Sequence, residues 1–113
     1  MSEPVAKREL VGVNPDGERY AITVTVGLPY PLNDVNGDWR CSVSVAPLTH
    51  RTVEIAGIDS LQALSLAISY AHFELRNLVE RGGRILYPDT DEDPETDVDY
   101  PLDGDFLSRN RPA

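Results

Sequence analysis

Five acidic side chains at alternate positions, Asp89, Asp91, Asp93, Glu95 and Asp97, form the densest set of cation-competent oxygens in this chain. Hard divalent cations take such carboxylates, and the spacing resembles the opening of a calcium-binding loop. Two positions depart from that pattern. The sixth, where a sharp turn needs Gly, is Pro94; the twelfth, where a bidentate Glu closes the shell, is Tyr100. Asn33–Asp38 is also rich in oxygen, but its Asn36-Gly37 pair is first a turn signal. Zinc chemistry would need clustered thiols and imidazoles. The chain offers Cys41, His50 and His72, far apart and without metal-ligand spacing. No metal or other cofactor is expected.

Nucleophilic and phosphate chemistry have no better support. The chain has no Gly-rich phosphate loop, Gly-x-Ser-x-Gly elbow or His-Glu-x-x-His pair. Cys41 falls on the apolar face of a strand with no basic neighbour on that face, which predicts a buried, unreactive thiol. The carboxylates sit mostly in turns or near the C-terminus, where no dry pocket would tune one for acid–base work. A ligand or enzyme site would have to gather Trp39, His50 and Asp59 where the helix start meets the strand ends.

The charge is stacked at one end. Residues 1–88 carry ten acids and eight bases; residues 89–113 carry nine acids and two bases. This divides the chain into a near-neutral domain, 1–88, and an acidic C-terminal segment, 89–113, whose like charges favour an extended or disordered chain. A net charge of −9 opposes binding to a phosphate backbone and permits binding to a basic protein. No apolar run is long enough to span a membrane. Met1-Ser2-Glu3-Pro4 lacks a basic and then apolar leader, and one cysteine permits no intrachain disulfide, so a cytoplasmic protein is expected.

The elements that would position these residues are legible. Ala6–Val13 reads as a strand, followed by the turn Asn14-Pro15-Asp16-Gly17. Tyr20, Ile22, Val24 and Val26 alternate with smaller residues in a second strand, ended by Pro29 and Pro31. Trp39, Cys41, Val43 and Val45 share one face of a third strand; Arg40, Ser42 and Ser44 share the other. That alternation fits an antiparallel sheet covered on one side. Val53 and Ile55 lie on a fourth strand stopping at Gly57.

A helix follows, with Asp59 at its N-cap, Gln62 three residues on, and Gly82-Gly83 as its stop. On a helical wheel Leu61, Leu64, Ala67, Ile68, Ala71, Leu75, Leu78 and Val79 form the core-facing stripe. His72 and Arg76 lie on the polar stripe, one turn apart. A further strip, Ala63, Leu66, Tyr70 and Phe73, is apolar as well and needs a second cover. Ile85-Leu86-Tyr87 offers a short last strand. The predicted fold is α+β and two-layered. A four-stranded antiparallel meander, with a short fifth strand at its end, is covered on one face by one long helix. Its core comprises Tyr20, Ile22, Val24, Trp39, Cys41, Val43, Val45, Val53, Ile55, Leu61, Leu64, Ile68, Leu75 and Leu78.

The run Trp39-Arg40-Cys41 and then Gly57-Ile58-Asp59-Ser60-Leu61-Gln62-Ala63-Leu64 resembles a family of small bacterial proteins that carry one domain of unknown function. The likeness covers roughly residues 39–87 and is one of cap, helix start and strand, so it implies a fold and a bacterial source and transfers no catalytic residue. Similar small proteins encoded beside secreted toxins include immunity proteins. The resulting expectation is a noncatalytic protein-binding module, in its sharpest form an immunity-type inhibitor of a basic toxin. Its contacts would come from Asp91, Glu92, Asp93 and Asp97 and from Leu66, Tyr70, Phe73, His72 and Arg76. The competing expectations are a small-ligand protein or enzyme, and a structural homodimer joined through Leu66, Tyr70 and Phe73.

Overall fold

The computed structural model describes residues 4–88. Six strands and one helix follow one another: β1 (Pro4–Val13), β2 (Arg19–Gly27), β3 (Tyr30–Pro31), β4 (Trp39–Ala46), β5 (Val53–Gly57), α1 (Ser60–Glu80) and β6 (Arg84–Leu86). The sheet is antiparallel throughout. β1 pairs β2 along nearly its whole length, with Leu10 opposite Ile22. β2 then pairs the C-terminal half of β4, with Val24 opposite Val45. β5 takes the other edge of β4, with Cys41 opposite Ile55.

The predicted meander is thus β1-β2-β4-β5, and the short last strand is present. Its position is new: β6 pairs β1, through Val11–Leu86 to Val13–Arg84, at the far edge from β5. The helix therefore carries the chain from one edge of the sheet to the other. The unexpected strand is β3. Pro29 interrupts β2, yet the chain stays beside β4, and Tyr30 and Pro31 pair with Arg40 and Trp39. Proline is tolerated there because β3 is only two residues long.

Both polar turns use one solution. The Asn14 side chain accepts from the N–H groups of Asp16 (3.0 Å) and Glu18 (2.9 Å). Asp34 does the same for Asn36 (3.1 Å) and Asp38 (3.3 Å). In each, a Gly three residues on donates back to the carbonyl of the Asx residue. A short polar side chain thus mimics one turn of backbone pairing.

The helix ends are as read from the sequence. Gln62 N–H donates to Asp59 Oδ1 (2.7 Å), and the Gln62 side chain accepts from Ile58 N–H (2.8 Å), one residue before the cap. At the other end Gly83 N–H donates to Leu78 O and Gly82 N–H to Val79 O, both at 3.0 Å, with Gly82 at φ 93°. That is a Schellman closure, which wants glycine in the left-handed position.

The core lies between one face of the sheet and the helix. Leu10, Ile22, Val26, Cys41, Val43, Val45, Leu75 and Ile85 are buried there. The strand residues of the predicted core are all in it or packed against it, Tyr20, Val24, Trp39, Val53 and Ile55 at its margin. The helix needs a correction. Its buried seam is Ala63, Ala67, Ala71 and Leu75, with Leu64 and Leu78 partly buried. Leu61 is 72% exposed and Ile68 38% exposed. The helix is turned toward the strip that held Ala63, because small residues let its backbone settle close to the sheet. Gly57 makes that approach possible: a Cβ there would lie 2.7 Å from the Ala63 Cα and closer still to its N. No described helix is long and apolar enough to cross a membrane.

Candidate functional site

Turning the helix by its alanine seam divides its remaining apolar residues between two flanks. On one flank Leu66 (44% exposed) and Phe73 (54%) stand in solvent, two turns apart on the same side. Tyr70 lies between them, half-buried against the core, and Ala63 is fully covered. The predicted strip therefore survives as two exposed side chains and one half-buried ring. Beside it the β4–β5 turn leaves a shallow cleft of about 320 Å³, lined by Leu48, His50, Arg51, Tyr70 and Glu74 among others. Thr49 shapes that turn, accepting from Val45 N–H at Oγ1 (3.0 Å) and donating its own N–H to Val45 O (2.8 Å). Burial, and then the Glu74 carboxylate, push the Tyr70 phenol above its ordinary value, so it stays a neutral hydrogen-bond donor near neutral pH.

On the other flank a second cleft, about 270 Å³, opens between the helix and the sheet. Ile68, Ala71, His72 and Leu75 form one wall; Ala6, Arg8, Val24 and Val26 form the other. It exists because the helix packs chiefly on β4 and β5 and leaves the N-terminal half of β1 uncovered. Sequence reading placed His72 and Arg76 on a polar stripe but did not place a cleft beside them. The available clue was Arg8, a base on the inward-facing set of β1, opposite Val24.

The proposed gathering of Trp39, His50 and Asp59 does not occur. Trp39 begins β4 and lies opposite Gly57, close to Asp59, whereas His50 follows the other end of β4. About 20 Å of strand separates them. His50 instead shares its cleft with Glu74. Asp91, Glu92, Asp93 and Asp97 lie outside the described residues. No cluster of three or more potential metal ligands occurs among the described residues.

Cys41 is fully buried, and its thiol donates to Gly27 O at 3.3 Å. Burial pushes its pKa up, with a smaller push from Glu54, which leaves it protonated. On the face of the sheet away from the helix Glu54 accepts from Tyr30 Oη (2.7 Å) and from Ser42 Oγ (2.8 Å). The bond to Glu54 raises the Tyr30 pKa, and the network ties β3, β4 and β5 together on that face.

Comparison with protein-family models matches residues 6–97 to DUF6968, a domain of unknown function. The match reaches both β1 and the first nine residues after Pro88, beyond the segment whose motif carried the sequence resemblance. No curated protein and no solved structure matches the chain.

Proposed function

We propose that this chain, which belongs to the DUF6968 family, is a noncatalytic protein-binding module. The observation that carries the reading is the Leu66–Phe73 strip: two large apolar side chains held in solvent on a rigid helix, beside a half-buried tyrosine and a shallow cleft. Apolar groups grouped in this way mark interaction surfaces more often than singly scattered ones do. The partner is a basic protein. The C-terminal acids, Asp91, Glu92, Asp93 and Asp97 among them, would steer it and set its orientation, while the apolar strip supplies the buried contact. An immunity-type inhibitor of a basic toxin is the finer form of this reading.

The experiment uses the full chain and a basic partner recovered by affinity capture. Phe73→Asp should weaken binding at all salt concentrations. Neutralising Asp91, Glu92, Asp93 and Asp97 together should slow association and flatten its salt dependence. Val35→Asp, in the fully exposed loop before β4, is the control. Binding that survives Phe73→Asp unchanged refutes the reading.

A second reading has its own observation, the shared cleft of His50, Arg51 and Glu74. A small anionic or hydrogen-bonding ligand would fit there. His50→Ala would then abolish ligand binding and leave Phe73→Asp without effect. The homodimer reading uses the same strip and is separated by sedimentation: a dimer would form with no other protein present.

A further inference from the structure

We propose that a second copy of this chain docks along the open edge of β5, so that two sheets join through antiparallel β5 strands about a two-fold axis at Ile55. β5 takes one edge of β4, and no described strand takes its other side. The backbone groups on that side can be identified. Val45 donates its N–H to Thr49 Oγ1 and accepts from Thr49 N–H, within the β4–β5 turn. At the opposite edge Asp38 O accepts from Leu32 N–H, in line with β3. Successive residues of a strand aim their backbone groups at alternate edges. Val43 and Cys41, in step with Val45, therefore face β5 and bond Val53 and Ile55. Glu54 and Ala56 aim their N–H and C=O groups outward, where no described backbone group meets them.

Sheets guard such edges with Pro, Lys, bulges or very short strands. The opposite edge of this sheet has these devices. β1 carries Pro4, Lys7 and a register shift between Pro4 and Ala6, and β6 is three residues long. β5 has none of them. It pairs β4 in unbroken register from Val53 to Gly57. Its one charged side chain, Glu54, is held back over β4 by Ser42 Oγ and Tyr30 Oη.

A two-fold axis permits few registers, because outward residues must meet outward residues. A centre at Glu54 would set two Glu54 side chains against each other. A centre at Ala56 would ask Ile58 N–H to pair with Glu54 of the copy, and that N–H already donates to Gln62 Oε1 (2.8 Å). A centre at Ile55 avoids both. Glu54 of each chain then lies opposite Ala56 of the other, and each pair exchanges both N–H···O bonds. Ile55 meets Ile55 on the helix side, a close pair of β-branched side chains.

The helices would meet as well. α1 lies over β4 and β5. Tyr70 and Glu74 line a cleft with Val53, so the Leu66–Phe73 flank is the one beside this edge. With strands about 4.8 Å apart, a helix axis midway over β4 and β5 stands roughly 5 Å from the two-fold axis. The two helix axes then lie about 10 Å apart, the spacing of packed helices. Leu66 and Phe73, 44% and 54% exposed in the single chain, would be covered. This inference goes beyond the partner-binding reading, because the sheet edge rather than the strip sets the geometry. The dimer would compete with a basic partner for the strip.

The test is sedimentation and amide hydrogen exchange of the full chain over a concentration series, at high salt to screen its net charge of −9. Sedimentation should show a monomer–dimer equilibrium. Exchange at Glu54 and Ala56 should slow as the dimer forms, while Val53 and Ile55, bonded to β4, are protected at every concentration. Ala56→Pro removes an outward donor that β4 does not use, a position where proline is tolerated. It should abolish the dimer, leave the circular dichroism spectrum intact and leave capture of a basic partner undiminished. Ala56→Glu keeps the backbone and sets a carboxylate opposite Glu54 of the copy, and should weaken the dimer by about two- to thirty-fold. A chain that stays monomeric overturns the proposal, as does a dimer that survives both substitutions. A dimer whose Glu54 and Ala56 amides exchange freely would be joined through Leu66 and Phe73 alone, and overturns it too. Protection of those amides that is independent of concentration would make the same chain the occupant and overturn it equally.

Discussion

Gly57→Ala tests the reason for the helix position. A methyl group at residue 57 would lie 2.7 Å from the Ala63 Cα, 3.0 Å from its Cβ and closest to its backbone N. Carbon atoms rest at about 3.5–4.0 Å, so the first turns of α1 must lift by about 1 Å. A gap of that size forfeits roughly a quarter to a half of each dispersion contact beneath it. Ala63 and Ala67, both fully buried, lose most. Overpacking alone costs about 1–3 kcal/mol, and a clash with backbone rather than a flexible side-chain tip points to the upper end, about 3 kcal/mol. Urea unfolding followed by circular dichroism should show a midpoint lowered by about 1–3 M with unchanged slope. Adding Ala63→Gly should give no rescue. It removes only the most distant of the three contacts and weakens the helix by about 1 kcal/mol. An unchanged midpoint for Gly57→Ala, or recovery in the double variant, would refute the close-approach argument.

The seam itself is tested by a pair of substitutions: Leu75→Ala, fully buried, should cost about 2–5 kcal/mol, and Leu61→Ala, largely exposed, should stay within about 0.5 kcal/mol, both read from urea midpoints. Asp59→Ala removes the acceptor for Gln62 N–H and should cost about 1 kcal/mol, with hydrogen exchange accelerated first at the start of α1. Burial raises the pKa values of Cys41, Tyr20 and Tyr70 in the folded protein. Their contribution is fully present below the unfolded thiol value of about 8.5 and is lost as pH rises through the raised folded values. Urea midpoints should fall on the alkaline side, and Cys41→Ala should remove the earliest part of that fall; a midpoint that rises with pH there would contradict the burial of these groups.

Local chemistry made much of this molecule legible. Asp59 with Gln62, and Gly82-Gly83, mark the helix ends because caps and left-handed closures depend on residues adjacent in sequence. Trp39, Cys41, Val43 and Val45 mark the inward face of β4 because a strand repeats every two residues. Asn14 and Asp34 mark their turns because each bonds its own backbone. The candidate strip was half legible. Leu66, Tyr70 and Phe73 share one side of the helix by spacing alone, and two of the three are exposed.

The rotation of the helix was not legible. A hydrophobic wheel weighs Leu61 and Ile68 above Ala63, but side-chain size at the contact decides how close the backbones come, and that closeness depends on Gly57 in a different element. The edge chosen by β6 was also hidden, since nothing in Arg84–Leu86 distinguishes pairing with β1 from pairing with β5. That choice follows from the course of the helix across the sheet. It brings Tyr87 under Arg8. The sequence alone determined the helix with its caps, the four longer strands, the short last strand and the stacking of acid at one end of the chain. Only the tertiary structure decided which helix face is buried and which edge β6 takes, because both depend on contacts between residues far apart in the chain.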